Sequence, residues 1–236
     1  MAVSRKLIQS LKTALQAKAD SDVAPKMQRY MKSVMPYYGV KAPVMKQVTQ
    51  DALALDPLNS WQQWYDTVLA LWRGAKFREE RHCAILLCEA KQHSVYQTLE
   101  TIPLYEEMIV AGAWWDYVDV VATHRIQALL LKYPKEIKAL MKQWSKDDNL
   151  WKRRTAILCQ LNRKQGTDLT LLYACIKPSL NSDEFFLQKA IGWALRSYAW
   201  YDVREVLQYV DKNRAQLSNL SYREALKNKH KLIASV

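Results

Sequence analysis

Apolar residues recur at helical spacing along almost the whole chain, and few residues interrupt them. The 236 residues include only 5 glycines and 7 prolines, whereas strands and tight hairpins need such turn residues at regular intervals. Half of the residues are hydrophobic and a quarter are charged, so the chain is able to bury a continuous core. The pattern predicts an all-α protein of about a dozen short helices.

The helices group into consecutive pairs. Helical hairpins of roughly 35 to 45 residues are typical of HEAT or armadillo repeats, in which each pair buries its apolar faces by stacking on the next. We therefore predict one HEAT-like α-solenoid domain over residues 1–236. Internal sequence identity is weak, so an irregular helical bundle is the alternative. Near the C-terminus, Ser221 followed by Glu224 predicts a capping box that starts a helix.

The net charge restricts the class of partner. The chain carries 35 Lys and Arg against 23 Asp and Glu, a formal charge of +12, which favours a polyanion such as nucleic acid or an anionic membrane surface. A basic protein with no such partner is the alternative. The 9 tryptophans and 13 tyrosines favour nucleic acid, because amphipathic aromatics beside cations suit sugars and bases.

Targeting and metal-binding signals are missing from the sequence. Residues 1–16 predict an amphipathic helix and contain no apolar run long enough for a signal peptide or a membrane span. We expect a cytoplasmic monomer, associated with the nucleoid when bound to DNA. The four cysteines form no CxxC pair and have no histidine at zinc-finger spacing, so we expect reduced, buried thiols, no metal and no cofactor.

Two charged residues lie at positions where the helical pattern predicts a core. Asp119 follows Trp115 by one turn and is flanked by apolar residues, and Arg154 lies in the middle of an apolar stripe over residues 149–161. A buried charge with no partner costs several kcal/mol or more. Asp119 and Arg154 are therefore candidates for an ion pair, which either only organises helix packing or belongs to a functional site.

A third unusual segment covers residues 183–196. Phe185, Lys189, Gly192 and Arg196 share one arc of the predicted helix, with Trp193 at its edge, so we expect an outward face of aromatics and cations. A glycine inside a helix costs about 1 kcal/mol relative to alanine. Gly192 therefore indicates a close approach, either by a neighbouring helix or by a sugar-phosphate strand.

Basic residues also cluster outside this segment. If six of them contact phosphates, DNA affinity should fall steeply with salt, with a slope of about −0.9 per neutralised phosphate. Solvated helix faces are the alternative. The clusters consist of Arg29 and Lys32 around Tyr30, Lys152 to Arg154, Arg163 with Lys164, and Arg223, Lys227, Lys229 and Lys231 in the tail.

Four strings along the chain resemble one known family. They are MQRYMK at 27–32, WWDYVD at 114–119, NLWKRR at 149–154 and FFLQKAIGW at 185–193. Together they resemble the bacterial DNA alkylation repair glycosylases of the AlkD type, in the same order and over nearly the whole chain. WWDxVD and EFFxQKAIGW are much more specific than a helical pattern.

The resemblance implies a fold, an activity and a set of site residues. The family is built of HEAT-like repeats that form a C-shaped, basic concave groove, and it releases N3-alkyladenine and N7-alkylguanine from duplex DNA while the lesion stays stacked. By resemblance, Asp119 is the catalytic carboxylate, Trp115 and Trp193 contact the lesion, Arg154 is the active-site arginine and Tyr30 lies in the groove. No metal or other cofactor is implied.

The residue types suit this chemistry. An N3- or N7-alkylated purine carries a positive charge and leaves as a neutral base, so no general acid is required. The reaction needs an anion beside the sugar, where an oxocarbenium-like charge develops as the glycosidic bond breaks. Asp119 is the candidate anion. Asp119→Asn should therefore slow base release while leaving DNA binding intact or stronger.

One departure from the family pattern and two further functional hypotheses remain. Asn162 stands where the resemblance leads us to expect a lysine, so part of the phosphate contact moves to Arg163 or Lys164. A noncatalytic scaffold that binds bent or branched DNA is the main alternative, and a protein-binding HEAT adaptor is a third. A DNA scaffold has no use for a carboxylate that repels phosphates, so Asp119 favours an enzyme.

Overall fold

The computed structural model describes residues 3–228, and every regular element in that range is helical. The all-helical repeat architecture expected from the sequence is confirmed. Among the described residues, no helix is both long enough and apolar enough to cross a membrane. The α-helices are α1 Arg5–Ala17, α2 Ala24–Met31, α3 Ala42–Leu55, α4 Trp61–Arg73, α5 Arg78–Glu89, α6 Ile102–Gly112, α7 Trp115–Val120, α8 Gln127–Lys132, α9 Pro134–Trp144, α10 Leu150–Leu158, α11 Leu169–Ile176, α12 Phe185–Ala199, α13 Val203–Lys212 and α14 Asn219–Ala225.

Shorter helical turns connect several of these helices. One of them is a π-helical turn, Val121–Ile126, between α7 and α8. The sequence pattern did not predict it. The 3₁₀ turns are Lys91–Tyr96, Leu99–Thr101, Lys164–Gly166 and Lys177–Ser179.

The chain divides into two compact units, and the boundary lies after Leu104, inside α6. Each unit has its own buried side chains, and whether the two act as the single domain expected from the sequence stays a prediction. In the first unit, the predicted N-terminal helix is α1. The hydroxyl of Ser4 caps this helix by accepting the amide of Leu7, and Leu7, Leu11 and Leu15 are fully buried at four-residue spacing.

A buried carboxylate fixes the loop before α3 in the first unit. Glu79 is 1% exposed, and its two oxygens accept the amides of Tyr38, Gly39 and Val40 at 2.8 to 3.1 Å. Gly39 has a left-handed φ of 86°, which glycine adopts without steric cost. The three donors satisfy Glu79, so its charge has a structural role.

The second unit is a stack of helical hairpins in two layers. α7, α10, α12 and α14 contact one another in turn, while α8, α9 and α11 form the other layer with α13, which meets α11 through the stacked rings of Tyr173 and Tyr209 at 4.0 Å. Between the layers, α9 packs on α10, α10 packs on α11, and α12 packs on α13. The core shared by α10 to α14 is mostly leucine, isoleucine, valine and alanine.

The predicted capping box at Ser221 is wrong. α14 starts three residues earlier, where the hydroxyl of Ser218 accepts the amide of Ser221. The Ser221 hydroxyl donates to the Gln188 carbonyl on α12, and Glu224 forms ion pairs with α12. Both side chains hold α14 to α12, which a local sequence pattern does not reveal.

Candidate active site

The two charged residues that broke the helical pattern form one ion pair. The Oδ1 atom of Asp119 accepts the Nε–H of Arg154 at 2.7 Å, and Oδ2 accepts an Nη2–H at 2.8 Å. The predicted pairing is therefore confirmed, and its geometry is the bidentate fork that guanidinium and carboxylate groups favour. The side chains of Asp119 and Arg154 are 12% and 5% exposed, so the pair is largely buried, with a small part of the Asp119 side chain accessible to solvent.

A third hydrogen bond fixes the arginine from its other side. The Nη1 group of Arg154 donates to the backbone carbonyl of Phe186 at the start of α12. Below it, Trp114, Trp151 and Phe186 form a cluster with ring centroids 4.9 to 6.2 Å apart. The sequence gives no sign of this support, because a backbone carbonyl acceptor leaves no side-chain signal.

Burial raises the pKa of Asp119 above its ordinary value, against the lowering effect of the hydrogen bonds and charge of Arg154. The nearby charge of Asp116 raises the pKa further. The carboxylate is therefore poorly solvated and keeps its charge through one guanidinium. A poorly solvated anion interacts more strongly with a nearby cation than one in bulk water does.

Trp115 lies one helical turn before Asp119 on α7 and is partly buried. Residues four apart on a helix have Cβ atoms about 5–6 Å apart, so both side chains leave α7 on the same side. Ala113 precedes this segment with a left-handed φ of 43°. Such a conformation is uncommon for alanine and is found at functional sites more often than elsewhere.

Trp193 lines an open depression of about 220 Å³ in the second unit. Two wall residues, Asn162 and Lys164, have left-handed φ angles of 66° and 51°, and the Asn162 amide donates to the Ser197 hydroxyl at 3.1 Å. The depression brings together predicted and unpredicted residues. Its lining consists of Asn162, Lys164, Trp193, Arg196, Ser197 and Trp200.

Trp200 was missed by the sequence analysis. Its side chain is 59% exposed at the end of α12. Trp200 follows Trp193 by seven residues, or about two helical turns, and this spacing is the signal that could have identified it.

The predicted outward face of α12 requires a correction. Gly192 is buried, and a Cβ placed there would lie 2.9 Å from the Ser221 carbonyl oxygen, so the close approach is by α14. Lys189 and Arg196 both form ion pairs with Glu224 of α14. The face therefore packs against a helix over much of its length, although Phe185 remains 57% exposed.

The other predicted DNA contacts of the second unit differ in how exposed their side chains are and in whether the protein itself already binds them. The Lys152 amine pairs with Glu106 and Asp147, and its side chain is 17% exposed. Arg163 is partly buried and donates its Nε–H to the Gly166 carbonyl at 3.1 Å. Lys164 is exposed. Lys152 is thus engaged by the protein itself, and Lys164 is the most accessible of the three.

Predicted contacts also lie in the first unit and near the chain end. Arg29 and Tyr30 are exposed near the end of α2, with Tyr30 at 76% exposure. Lys32 caps that helix with a left-handed φ of 49° and is exposed. Arg223 and Lys227 are exposed, whereas Lys229 and Lys231 lie outside the described residues.

Cysteines and metal ligands offer no second chemistry at this site. Cys83, Cys88, Cys159 and Cys175 are free and buried, as predicted. In the part of the chain that the structure describes, no group of three or more His, Cys, Asp or Glu side chains is placed to hold a metal ion.

Comparison with known proteins identifies relatives of this chain. Residues 11–228 match the family model described as DNA alkylation repair enzyme. A predicted DNA alkylation repair enzyme from Enterococcus faecalis is 27% identical with a TM-score of 0.80, and the match covers 89% of this chain and 95% of that one. The alkylpurine DNA glycosylase AlkC from Pseudomonas fluorescens, bound to DNA containing an abasic site analog, has 18% identity and a TM-score of 0.53, with coverage of 95% and 62%. The comparison with curated proteins gives no match.

Proposed function

Because this chain belongs to the DNA alkylation repair enzyme family, we propose that it is a monofunctional glycosylase that excises cationic N3- and N7-alkylated purines from duplex DNA. Its substrates would include 3-methyladenine and 7-methylguanine, and its place is in base excision repair. The observation that carries the proposal is the Asp119–Arg154 pair, in which the aspartate side chain is largely buried but remains 12% exposed. A carboxylate accepts up to about four hydrogen bonds, and Arg154 donates two.

The remaining capacity of Asp119 suits the proposed chemistry. As the glycosidic bond breaks, the cationic base leaves as a neutral purine and positive charge moves to the deoxyribose. A fixed, poorly solvated carboxylate stabilises that charge more than it stabilises the ground state, which lowers the barrier. A free lone pair of Asp119 would also orient the attacking water.

Arg154 acts through Asp119 in this proposal. Its side chain is 5% exposed and bonded on three nitrogens to Asp119 and Phe186. The geometry therefore favours a role in keeping the carboxylate ionised and oriented over the phosphate contact expected from the sequence.

Trp115 and Trp193 supply selectivity for a cationic lesion. An indole face attracts a cation by about 0.5–2 kcal/mol, and a neutral purine gains little of this. Trp115 is one turn from Asp119, and Trp193 lies on α12, which packs on the helix of Arg154. We propose that both contact the sugar or base whose charge changes during the reaction.

The proposed DNA contacts are the residues whose side chains remain accessible. Lys152, Lys189 and Arg196 each have carboxylate partners, so we assign them a secondary part. The proposed set consists of Arg29, Tyr30 and Lys32 in the first unit and Arg163, Lys164, Phe185 and Trp200 in the second.

The deciding experiment is base release by the purified protein. Duplex DNA treated with a methylating agent is incubated with the protein in EDTA, and released 7-methylguanine and 3-methyladenine are quantified by chromatography. We expect release of both bases without added metal. DNA binding with no release would overturn the proposal in favour of a noncatalytic DNA-binding scaffold.

The role of Asp119 has a matched control in the same unit. Asp119→Asn should slow release about 10²- to 10³-fold, the range for removing a group that stabilises transition-state charge, while DNA affinity stays equal or increases. Glu224→Gln removes a carboxylate that also pairs with cations but lies outside the proposed chemistry, and should change the rate less than threefold, about 0.6 kcal/mol. An unchanged rate in Asp119→Asn would reject its catalytic role.

The rate should also depend on pH through Asp119. The protonated carboxyl carries no charge, so the rate falls as pH drops through its pKa. Because burial raises that pKa, we expect the acid limb of the single-turnover rate at a higher pH than an ordinary aspartate gives. If the rate does not fall with pH, or falls only in the pH range of an ordinary aspartate, Asp119 is not the group that must be ionised.

A further inference from the structure

The helix that carries Asp119 continues through an unusual turn. α7 runs directly into the π-helical turn Val121–Ile126, where the amide of Gln127 donates to the carbonyl of Ala122, five residues earlier. The hydroxyl of Thr123 donates to the carbonyl of Asp119 at 2.7 Å. The turn contains neither glycine nor proline. Single π-turns within α-helices are rare and occur frequently at functional sites.

The π-turn changes the direction in which later residues point. In a regular α-helix each residue advances about 100°, so Gln127, eight residues after Asp119, would point about 80° away from it. A π-turn takes up roughly one extra residue. Gln127 then points where the seventh residue would, about 20° from the direction of Asp119, and both side chains face α10.

Gln127 uses this direction to bond the C-cap of α10 and the turn that follows it. Its Nε2 group donates to the carbonyls of Leu161 at 2.8 Å and Cys159 at 3.4 Å. Cys159 is the C-cap of α10, where carbonyls without a partner inside the helix need external donors, and Leu161 lies in the turn that follows. The segment from α7 to α8 is therefore joined to α10 by the Asp119–Arg154 pair and to the C-terminal end of α10 and its following turn by Gln127.

We propose that the π-turn and Gln127 position Asp119 against Arg154, an inference that rests on the proposed function for its effect on rate. Gln127 is a positioning residue, since it acts through α10 and touches neither the carboxylate nor DNA in this arrangement. The hydrogen bonds of a π-turn are less favourable than those of an α-helix, and the side-chain hydrogen bonds of Gln127 offset that difference. A variant that lacks the Gln127 donor loses this compensation. The turn then relaxes, and Asp119 rotates away from the guanidinium.

The first test measures the pKa of Asp119 itself, by ¹³C NMR titration of its carboxyl carbon. Gln127→Met keeps the length of the side chain but removes the donor, and we expect the pKa of Asp119 to rise by about one unit because its hydrogen bonds from Arg154 weaken. Gln127→Lys restores a donor to the carbonyls and should return the pKa to the wild-type value. Gln143→Met, at an exposed glutamine of α9, is the matched control and should leave it unchanged.

The second test changes the register. Insertion of one alanine after His124, which is exposed, turns Gln127 by about 100° and should raise the pKa of Asp119 as Gln127→Met does. Deletion of His124 leaves a separation of seven positions between Asp119 and Gln127, which keeps both side chains on the same side of a regular helix. The Asp119–Arg154 pair should then persist, and the pKa of Asp119 should stay at its wild-type value. Equal effects of insertion and deletion would overturn the register argument.

Activity supplies a separate measurement. In Gln127→Met we expect kcat for base release to fall about 10- to 100-fold, the scale for a misplaced catalytic group, with KM and DNA affinity unchanged. Loss of DNA affinity without a change in kcat would contradict a positioning role. If the wild-type protein releases no base, the proposed function fails, while the carboxyl titration still decides the positioning. An unchanged pKa in Gln127→Met overturns the positioning proposal whatever the activity.

Discussion

Two carboxylate–cation clusters are anchored on α12, and they place their charges in different surroundings. Asp119 pairs with one arginine and is buried, and burial raises its pKa. Glu224 pairs with Lys189 and Arg196, and the hydrogen bond from Lys189 is the main cause that lowers its pKa to about 2. The lysine is 39% exposed, so water shares in stabilising this cluster.

The difference shows that solvation, as well as the presence of a cation, determines what a carboxylate is able to do. The ionised form of Glu224 is stabilised by its two cations, and its ion pairs join α14 to α12. Asp119 is held as an anion in a place that disfavours it, so a new cation nearby would stabilise it strongly. A glycosylase site needs this second condition. Variants at the Asp119–Arg154 pair and at the Glu224 cluster test whether the two differ in this way.

The largest expected effect is on stability at the buried pair. Arg154→Met leaves the carboxylate of Asp119 buried without its partner, which costs about 3–5 kcal/mol, whereas Arg196→Met leaves Glu224 paired with Lys189 and should cost about 1 kcal/mol. Urea unfolding measures both. The double variant Asp119→Leu/Arg154→Met should regain most of the stability but no base release. Equal losses for the two arginine variants would remove the distinction between the clusters.

The next effect concerns the contact between α12 and α14. Gly192→Ala places a Cβ 2.9 Å from the Ser221 carbonyl oxygen, and overpacking of this kind costs about 1–3 kcal/mol. The better helix propensity of alanine offsets about 1 kcal/mol of it. We expect a lower midpoint of thermal unfolding. At low temperature, where the variant is folded, the rate of base release should be unchanged. A stabilised variant would show that α14 moves easily from α12.

A smaller effect separates the roles of the two tryptophans that line the depression beside α12. Trp193→Ala should slow release of 7-methylguanine about 2- to 30-fold, equivalent to a cation–π contact of about 0.5–2 kcal/mol, with a smaller loss of affinity for undamaged DNA. Trp200→Ala should weaken the binding of damaged and undamaged DNA to the same extent. Single-turnover rates and fluorescence anisotropy measure the two quantities. If Trp193→Ala reduces both equally, its indole only packs against DNA.

The smallest effect is the pH dependence at Glu224. Its folded pKa, about 2, lies below its ordinary value of 4.5, so its contribution to stability is present above pH 4.5 and is lost as pH falls through about 2. Solvent at the Lys189 amine limits this to about 1 kcal/mol or less. Glu224→Gln should flatten the unfolding free energy over this interval. A parallel curve for the variant would show that another acid titrates there.

Local patterns were sufficient for part of this picture. Few glycines and a helical apolar pattern predicted the all-helical fold, because a helix satisfies its backbone hydrogen bonds within its own segment. Asp119 and Arg154 stood out because each charge lay on an apolar face and a buried charge needs a partner. Trp115 and Trp193 came from the family resemblance, and their roles stay predictions.

Contacts between helices decided the rest. A helical wheel predicted that Lys189 and Arg196 face outward, but the wheel contains no information about α14, which supplies Glu224 and approaches Gly192. The capping box at Ser221 failed for the same reason, since its side chains bond to α12. The sequence by itself determined which residues form helices and which charges require partners. Only the tertiary structure decided the partners of Lys189, Arg196 and Ser221, the π-turn and the solvation of Asp119, because these depend on residues far apart in the chain that packing brings together.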